Sequence, residues 1–459
     1  MSERPLDTLR VAELRDAFSD SGLPFRVDII DWASVKEPFR EIIRKDYETL
    51  QIPVHGDFAK EYVRLDQVAD ILSGGTPSKS NSDFWQGDIP WISAKDLKID
   101  RLHDAEDHIS KRGLNTGSKL APLGSTLVLV RGMTLLSDVP VCYAERDLAF
   151  NQDIKALIPH SENVPEYLYY SVVAAKPFLK EMVELAGHGT GRLPTDRISG
   201  FEIRVPPRSE QQAIVNILSV LDDKIELNRR TNETLESIAR VIFKSWFVDF
   251  SERSRPEEWS QGKTTALIEF NPSERLQAGQ EAPYIEMADL PENGPLHSAP
   301  RRRTFSSGTK FRNGDTLLAR ITPCLENGKT ALVHGLANDE VGWGSTEFVV
   351  MRAKPPVPKS FVYLLARDNG FRDHAIQSMT GTSGRQRVQT SSLLDWEFVL
   401  RPAEVLIAFG KLVDPIFEKI VHRDGESSSL SAIRDTLLPK LISGEIRVKD
   451  AERLVAEHV

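Results

Sequence analysis

Two stretches of the chain step their apolar residues alternately by four and three. The first runs through Ile214, Leu218, Leu221, Ile225, Asn228, Asn232, Leu235, Ala239, Ile242 and Trp246. The second runs through Phe409, Val413, Ile416, Ile420, Arg423, Ser427, Leu430, Arg434, Leu437 and Leu441. A 3.5-residue period held this long predicts a helix with a narrow seam facing another helix. At 1.5 Å per residue each seam is roughly 50 Å long. The first opens at Ser209-Glu210-Gln211-Gln212, a capping-box spacing just after Pro206-Pro207. Both seams are apolar at their ends and polar in the middle. Antiparallel pairing would set Asn228 opposite Ser427 and Asn232 opposite Arg423. An unpaired buried polar group costs about 1–3 kcal/mol, so such a register is favoured over its neighbours. Parallel pairing would also match polar with polar, so the pattern leaves direction open. Two amphipathic helices on separate cores, or a bundle between chains, are the alternatives.

Ahead of each long helix lies a mixed region with short apolar runs, such as Ser125 to Val130 and Asp315 to Ala319, between Gly, Pro and Asn/Asp turn signals. These predict strands. The regions correspond at an offset of 190 to 195 residues. Pro90-Trp91-Ile92 lies over Pro283-Tyr284-Ile285, and Gly124-Ser125-Thr126-Leu127 over Gly314-Asp315-Thr316-Leu317. Val164-Pro165 lies over Val357-Pro358, and Phe201-Glu202-Ile203 over Trp396-Glu397-Phe398. Gly189-Thr190-Gly191-Arg192 lies over Gly381-Thr382-Ser383-Gly384-Arg385 with one residue inserted. Five matches in one order indicate a duplicated module.

Composition narrows the class without naming a function. The 459 residues are 40% apolar and 27% charged, a globular balance. No run approaches the ~18 apolar residues of a spanning helix. The polar, acidic first residues lack the apolar core of a secretion signal. Cys142 and Cys324 are too few for a disulfide framework, so a cytoplasmic location is expected. A net charge of −9 argues against coating nucleic acid through bulk positive charge. Only the 260–402 stretch carries a cationic excess, and there the cations cluster.

Three groups of residues carry a family resemblance. Ser73-Gly74-Gly75-Thr76-Pro77-Ser78 is followed by Gly87-Asp88-Ile89-Pro90-Trp91-Ile92. Pro206-Pro207 precedes Ser209-Glu210-Gln211-Gln212-Ala213-Ile214, and Leu437-Leu438-Pro439-Lys440-Leu441-Ile442-Ser443-Gly444-Glu445-Ile446 closes the second helix. With the duplication, the chain from about 61 to 448 resembles the DNA-specificity (S) subunit of type I restriction–modification systems. The resemblance implies an α+β fold: two tandem, pseudo-symmetric target-recognition domains separated by two long antiparallel coiled-coil helices. Each domain would read half of a bipartite site on double-stranded DNA. The helices would set the spacing and dock two copies of the methyltransferase (M) subunit, which the restriction–translocase (R) subunit joins. Such a subunit does no chemistry, takes no cofactor and touches no membrane. The second module departs from the family, since Glu269-Phe270-Asn271-Pro272-Ser273-Glu274 replaces the Ser-Gly-Gly-Thr-Pro-Ser opening. Two different reading surfaces imply an asymmetric target.

Residues 1–60 lie outside that resemblance. Leu23 to Trp32, with Phe39 to Ile43, resembles the closing strand and helix of small polymerase-β-like nucleotidyltransferases. In that family a carboxylate on this strand joins a preceding pair to hold magnesium. The glycine-serine loop and the earlier Asp-x-Asp pair are both missing, and one carboxylate does not assemble a two-metal site. A catalytically empty remnant is expected.

Other chemical motifs are weak. Gly262-Lys263-Thr264 and Gly328-Lys329-Thr330 resemble the end of a phosphate-binding loop, yet Glu257 and Pro323 stand where its first glycine belongs. Asp153-Ile154-Lys155 reads better as cross-strand pairing than as half of a nuclease site. His103, Asp104, Asp107 and His108 read better as a charged loop than as metal ligands, so no metal site is expected. The DNA-facing candidates are Lys79, Lys95, Thr190, Arg192, Arg301, Arg302, Arg303, Lys310, Arg385 and Arg387. Glycines beside several of them let backbone N–H groups approach a phosphate, and arginine forks onto a phosphate or a guanine edge. Arg301-Arg302-Arg303, with Lys310 and Arg312, is the densest cationic stretch and suits backbone contact more than base contact. Phe243, Trp246 and Phe247 are expected to be exposed and to await a partner.

The expected divisions are a remnant at 1–60, a first recognition domain at 61–206 and a central helix at 207–250. A second recognition domain follows at 251–402, then a helix and tail at 403–459. Two other readings stay open: a nucleotidyltransferase using Asp28 or Asp31, and a coiled-coil adaptor with no DNA role.

Overall fold

The computed structural model describes residues 62–249, 259–382 and 384–456. They form a mixed helix-and-strand protein with two compact units. One runs to Leu218 and resumes at Thr436, and the other is Ser219–Asp435.

In the first unit the strands are short, as the frequent turn residues require. They are β1 (Tyr62–Arg64), β2 (Ala69–Ser73), β3 (Ile89–Ile92), β4 (Arg101–Leu102), β5 (Asp107–Ile109), β6 (Lys119–Ala121) and β7 (Thr126–Leu129). Then come β8 (Arg131–Gly132), β9 (Val141–Ala144), β10 (Leu148–Phe150), β11 (Ile154–Pro159), β12 (Glu184–Leu185), β13 (Gly191–Arg192) and β14 (Glu202–Arg204). The sheets are ordered β1-β14, β5-β3-β10-β6, β2-β11-β7-β9-β4 and β12-β13-β8. Strand β7 is buried along its whole length, which is why its sequence is a continuous apolar run. Helix α1 (Pro165–Ala174) starts on proline and buries Tyr167, Leu168 and Tyr170. The Ser73–Ser78 motif is a packing device. A Cβ on Gly74 would lie 2.3 Å from the Phe150 carbonyl oxygen, and one on Gly75 2.4 Å from that of Gly117. The Trp91 indole N–H donates to the Gly75 carbonyl at 3.0 Å.

The second unit repeats this plan. Its strands are β15 (Ser260–Lys263), β16 (Ile268–Phe270), β17 (Glu281–Ile285), β18 (Arg301–Thr304), β19 (Thr309–Phe311) and β20 (Thr316–Ala319). They continue with β21 (Thr330–Leu332), β22 (Gly342–Gly344), β23 (Phe348–Ala353), β24 (Met379–Thr380), β25 (Arg387–Val388) and β26 (Glu397–Leu400). Sheets β15-β26, β18-β17-β22-β19, β16-β23-β20-β21 and β24-β25 follow the order of the first unit. Even the parallel pair recurs, β3 with β10 and β17 with β22. The structural alignment moves one register. The Leu193 N–H donates to the Val130 carbonyl, and the Val388 N–H to that of Arg320, both at 2.9 Å. Arg192 therefore corresponds to Arg387. Arg385 lies in the inserted turn, its N–H donating to the Thr382 carbonyl at 3.0 Å.

Apart from Trp246, which follows α2, the seams lie on helices α2 (Arg208–Phe243) and α4 (Ala403–Ser443), with α3 (Lys359–Arg367) between them in sequence. No seam position in either helix is exposed. The expected capping box does not form. The Pro207 carbonyl accepts from the N–H groups of Glu210 and Gln211, and the Gln212 amide donates forward to Asn216 at 3.0 Å. Gln211 is buried, accepting from the Val164 N–H and donating to the Pro206 carbonyl, both at 2.9 Å. Within Ser219–Asp435 the two helices run antiparallel in contact. Arg434 meets Asp222 at 2.9 Å. The Asn228 amide donates to Glu426 at 2.8 Å and to the Ser427 hydroxyl at 3.2 Å. The Asn232 amide donates to the Ile420 carbonyl at 3.3 Å, one turn before Arg423.

Candidate nucleic-acid interface

All four residues of β18 are exposed, and the strand is the edge of its sheet. Charged side chains on an open edge also guard against unwanted strand pairing. Three arginines in sequence need acidic neighbours, and the fold supplies them. Arg301 pairs with Glu286 and lies 3.3 Å from Asp289. Arg302 pairs with Glu340 at 2.9 Å. Arg303 sits over the Tyr284 ring, 4.5 Å from its centroid, and 4.0 Å from Glu286. Lys310 donates to the Glu274 carbonyl at 3.0 Å and lies over Phe305. Arg312 pairs with Glu274 at 2.8 Å. The Arg301 and Arg302 pairs lie at the surface and contribute about 0–1 kcal/mol each, so a phosphate can exchange for the carboxylate at small cost, whereas the Glu274 side chain is only 6% exposed and also held by Arg352.

The same edge in the first unit is β5, of Asp107, His108 and Ile109, so the two edges differ in charge. There Lys95 is held by Glu106 at 3.0 Å and Asp107 at 2.9 Å. His108 meets Asp104 at 2.8 Å. Lys79 is exposed just past the Ser73–Ser78 loop.

The two glycine-rich stretches form corresponding hairpins. In the first unit Glu184 faces Arg192 and Arg192 faces Arg131 across β12-β13-β8. Thr190 lies in the turn, its carbonyl accepting from the Ala186 N–H at 2.8 Å. Arg192 is exposed and has no carboxylate in ion-pair reach among the described residues. Arg131, 57% exposed, comes only within 4.0 Å of Asp153. Its place was not legible in the sequence because its counterpart in the second unit is Ile321, which bridges Arg387. Arg387 is paired with Glu347 at 2.7 Å, whereas Arg385 is exposed.

The aromatic cluster at the end of α2 corrects an expectation. Phe243 is 3% exposed and Phe247 1%, and Trp246 is half-buried against the same core. The Phe247 ring lies 5.0 Å from Phe361 and 4.9 Å from Phe409. This chain's own second unit covers them, so the apolar run is core and not a surface awaiting a partner.

The weaker motifs find structural roles. Gly262 and Lys263 lie in β15, and Lys329 donates to the Met287 carbonyl at 3.0 Å. The Lys155 ammonium meets the Ser73 hydroxyl across the sheet. Among the described residues no group of three His, Cys, Asp or Glu side chains is arranged for a metal. Burial pushes the Cys142 thiol up to about 12, so it is inert. No described helix is long and apolar enough to cross a membrane. Asp28 and Asp31 lie outside the described residues.

Comparison with known proteins bears on most of the chain. Residues 59–237 match the family model described as the type I restriction modification DNA specificity domain. The type I restriction enzyme MjaIX specificity subunit of Methanocaldococcus jannaschii is 28% identical over 439 residues, covering 88% of this chain and 97% of that protein. The crystal structure of the type I restriction–modification system S subunit from M. genitalium aligns with a TM-score of 0.51 at 15% identity, over 85% of this chain and 98% of that one, a likeness of fold. A stretch of 51 residues is 57% identical to the probable protein adenylyltransferase MntA of Haemophilus influenzae, covering 11% of this chain and 45% of that protein.

Proposed function

We infer that this protein is the DNA-specificity subunit of a type I restriction–modification enzyme. The observation that carries the reading is continuous similarity to a specificity subunit along 88% of the chain, with a specificity domain matched on residues 59–237. The recurrence of one sheet order in both units supports a bipartite site read by two related modules. Their unlike hairpins and edge strands support an asymmetric target. The modules are residues 61–206 and 251–402, and the central helix of the 207–250 segment with the helix that opens the 403–459 segment, ahead of its tail, forms a coiled-coil spacer. A fixed spacer turns two weak half-site contacts into one strong contact by raising effective concentration. The spacer docks two methyltransferase subunits, a restriction–translocase subunit joins them, and the assembly works in the cytoplasm. This chain supplies recognition and leaves the chemistry to its partners.

Within that role, Lys79, Lys95, Thr190, Arg192, Arg301, Arg302, Arg303, Lys310, Arg385 and Arg387 are the DNA-facing set. The β18 arginines, already balanced by carboxylates, are placed to exchange onto phosphates and give salt-dependent affinity. Residues 1–60 are a remnant that adds no activity. The adaptor and nucleotidyltransferase readings find no support among relatives that span the chain.

Methylome sequencing of a host expressing this chain with its methyltransferase subunit tests the reading. A methylated bipartite, asymmetric motif that vanishes when this gene is deleted is the expected result. Methylation unchanged by the deletion refutes it.

A further inference from the structure

The ribbon β12-β13-β8 is seated by one face and bare on the other. A Cβ on Gly191 would lie 2.7 Å from the Leu135 Cβ, so the glycine side of the ribbon packs against residues 133–136. The opposite face carries the row Glu184, Arg192, Arg131, each directly paired with the next across the ladder. Directly opposed side chains share a face, and like charges placed so destabilise a sheet. Among the described residues the arginine pair is relieved only weakly, by Glu184 across the ladder and by Asp153 at the far end. Arg192 has no carboxylate partner among the described residues, and the nearest to Arg131 is Asp153 at 4.0 Å. A repulsion left mostly standing at an exposed rim is what a ligand-binding surface costs.

The ligand chemistry follows from the row. A bare phosphate clamp would gather cations alone. Here two forked donors stand between two acceptors, Glu184 on one flank and Asp153 on the other. Base edges present that mixture in the major groove, where arginine forks onto guanine O6 and N7 and a carboxylate accepts from the cytosine amino group. Strands about 4.8 Å apart space three side chains over roughly 10 Å, about three base-pair steps. The groove admits a β-ribbon. The hairpin tip is clear of the protein, since a Cβ on Gly187 or Gly189 would meet nothing within 4 Å.

The second unit carries the row Thr380, Arg387, Ile321 at the same place. Its single arginine is already held by Glu347 at 2.7 Å.

We propose that the row Glu184–Arg192–Arg131 is the base-reading element of the first module, with both arginines taking guanine edges. The proposal rests on the DNA-specificity reading and adds Arg131 as a specificity residue. Its counterpart row, with one engaged arginine, makes fewer guanine contacts, so the first half-site carries the stronger G·C requirement.

The test is selection from a randomised duplex pool by the complex assembled with its methyltransferase subunits. The wild-type complex is expected to select a bipartite motif. Arg131→Ala and Arg192→Ala should each lower the preference for one guanine about tenfold or more, at neighbouring positions of one half-site. Affinity for random duplex should change less than about twofold. Arg131→Lys and Arg192→Lys keep the charge and the ribbon but lose the fork, so they should relax the same positions even if the alanine variants assemble poorly. A motif unchanged in all four variants overturns the ribbon proposal while leaving the specificity reading intact. Weakening that is equal on all sequences, with a shallower salt dependence, also overturns it, because it marks phosphate contact alone. A wild-type complex that selects no motif overturns the underlying reading.

Discussion

The fate of each aromatic and cationic side chain depends on what the fold brings to it. Phe247 looks on the chain like one of three exposed aromatics at a helix end, and in the structure Phe361, Phe398 and Phe409 surround it. Truncating such a ring removes its transfer energy and leaves a cavity that the packed neighbours fill only in part. Phe247→Ala should therefore cost about 3–5 kcal/mol, read as a lower urea midpoint for the second unit. A change within experimental error would mean the cluster is not the core described. The arginines divide in the same way. Arg301, Arg302 and Arg387 hold carboxylates, whereas Arg192 and Arg385 face solvent.

At the scale of elements, the central layer of α2 and α4 is where register is decided. Asn228 binds Glu426 and Ser427, and the Asn228 amide is the main reason the Glu426 carboxyl sits below the usual carboxylate range. Arg434 meets Asp222 two turns away along the pair. A one-turn slip that carries Asn228 from Ser427 to Leu430 would leave its amide unsatisfied, which resists sliding in that direction. Asn228→Leu should cost about 1–3 kcal/mol in chemical denaturation, because it strips Glu426 and Ser427 of a partner. A stabilised variant would show that the polar layer has no such hold on register.

At the scale of the molecule, the repeated sheet order and the long helices define what can be varied. On the proposed role, deleting one heptad from α2 and the opposed heptad from α4 shortens the spacer by about 10 Å. The accepted gap between half-sites should then shrink by about three base pairs, visible as a shifted methylation motif. An unchanged gap would end the spacer idea, and loss of all methylation would be separated from it by checking that the complex still assembles. The duplication also lets the half-sites diverge separately, since each unit buries its own core and carries its own rim.

The sequence by itself determined the duplication, the two long seams and the resemblance to specificity subunits. Each is a periodicity or an ordered motif set, and such patterns persist however distant parts of the chain fold. Only the tertiary structure decided the antiparallel direction of the helix contact, because the polar layer at Asn228 suits either direction. It also decided which cations are neutralised, since Glu286, Glu340 and Glu347 lie 15 to 40 residues from the arginines they hold. Arg131 was hidden for the same reason. It joins Arg192 only through a ladder between residues some sixty positions apart, and the repeat that exposes other features places isoleucine there. Burial of Phe243 and Phe247 likewise needs partners from beyond residue 360, which no local pattern announces.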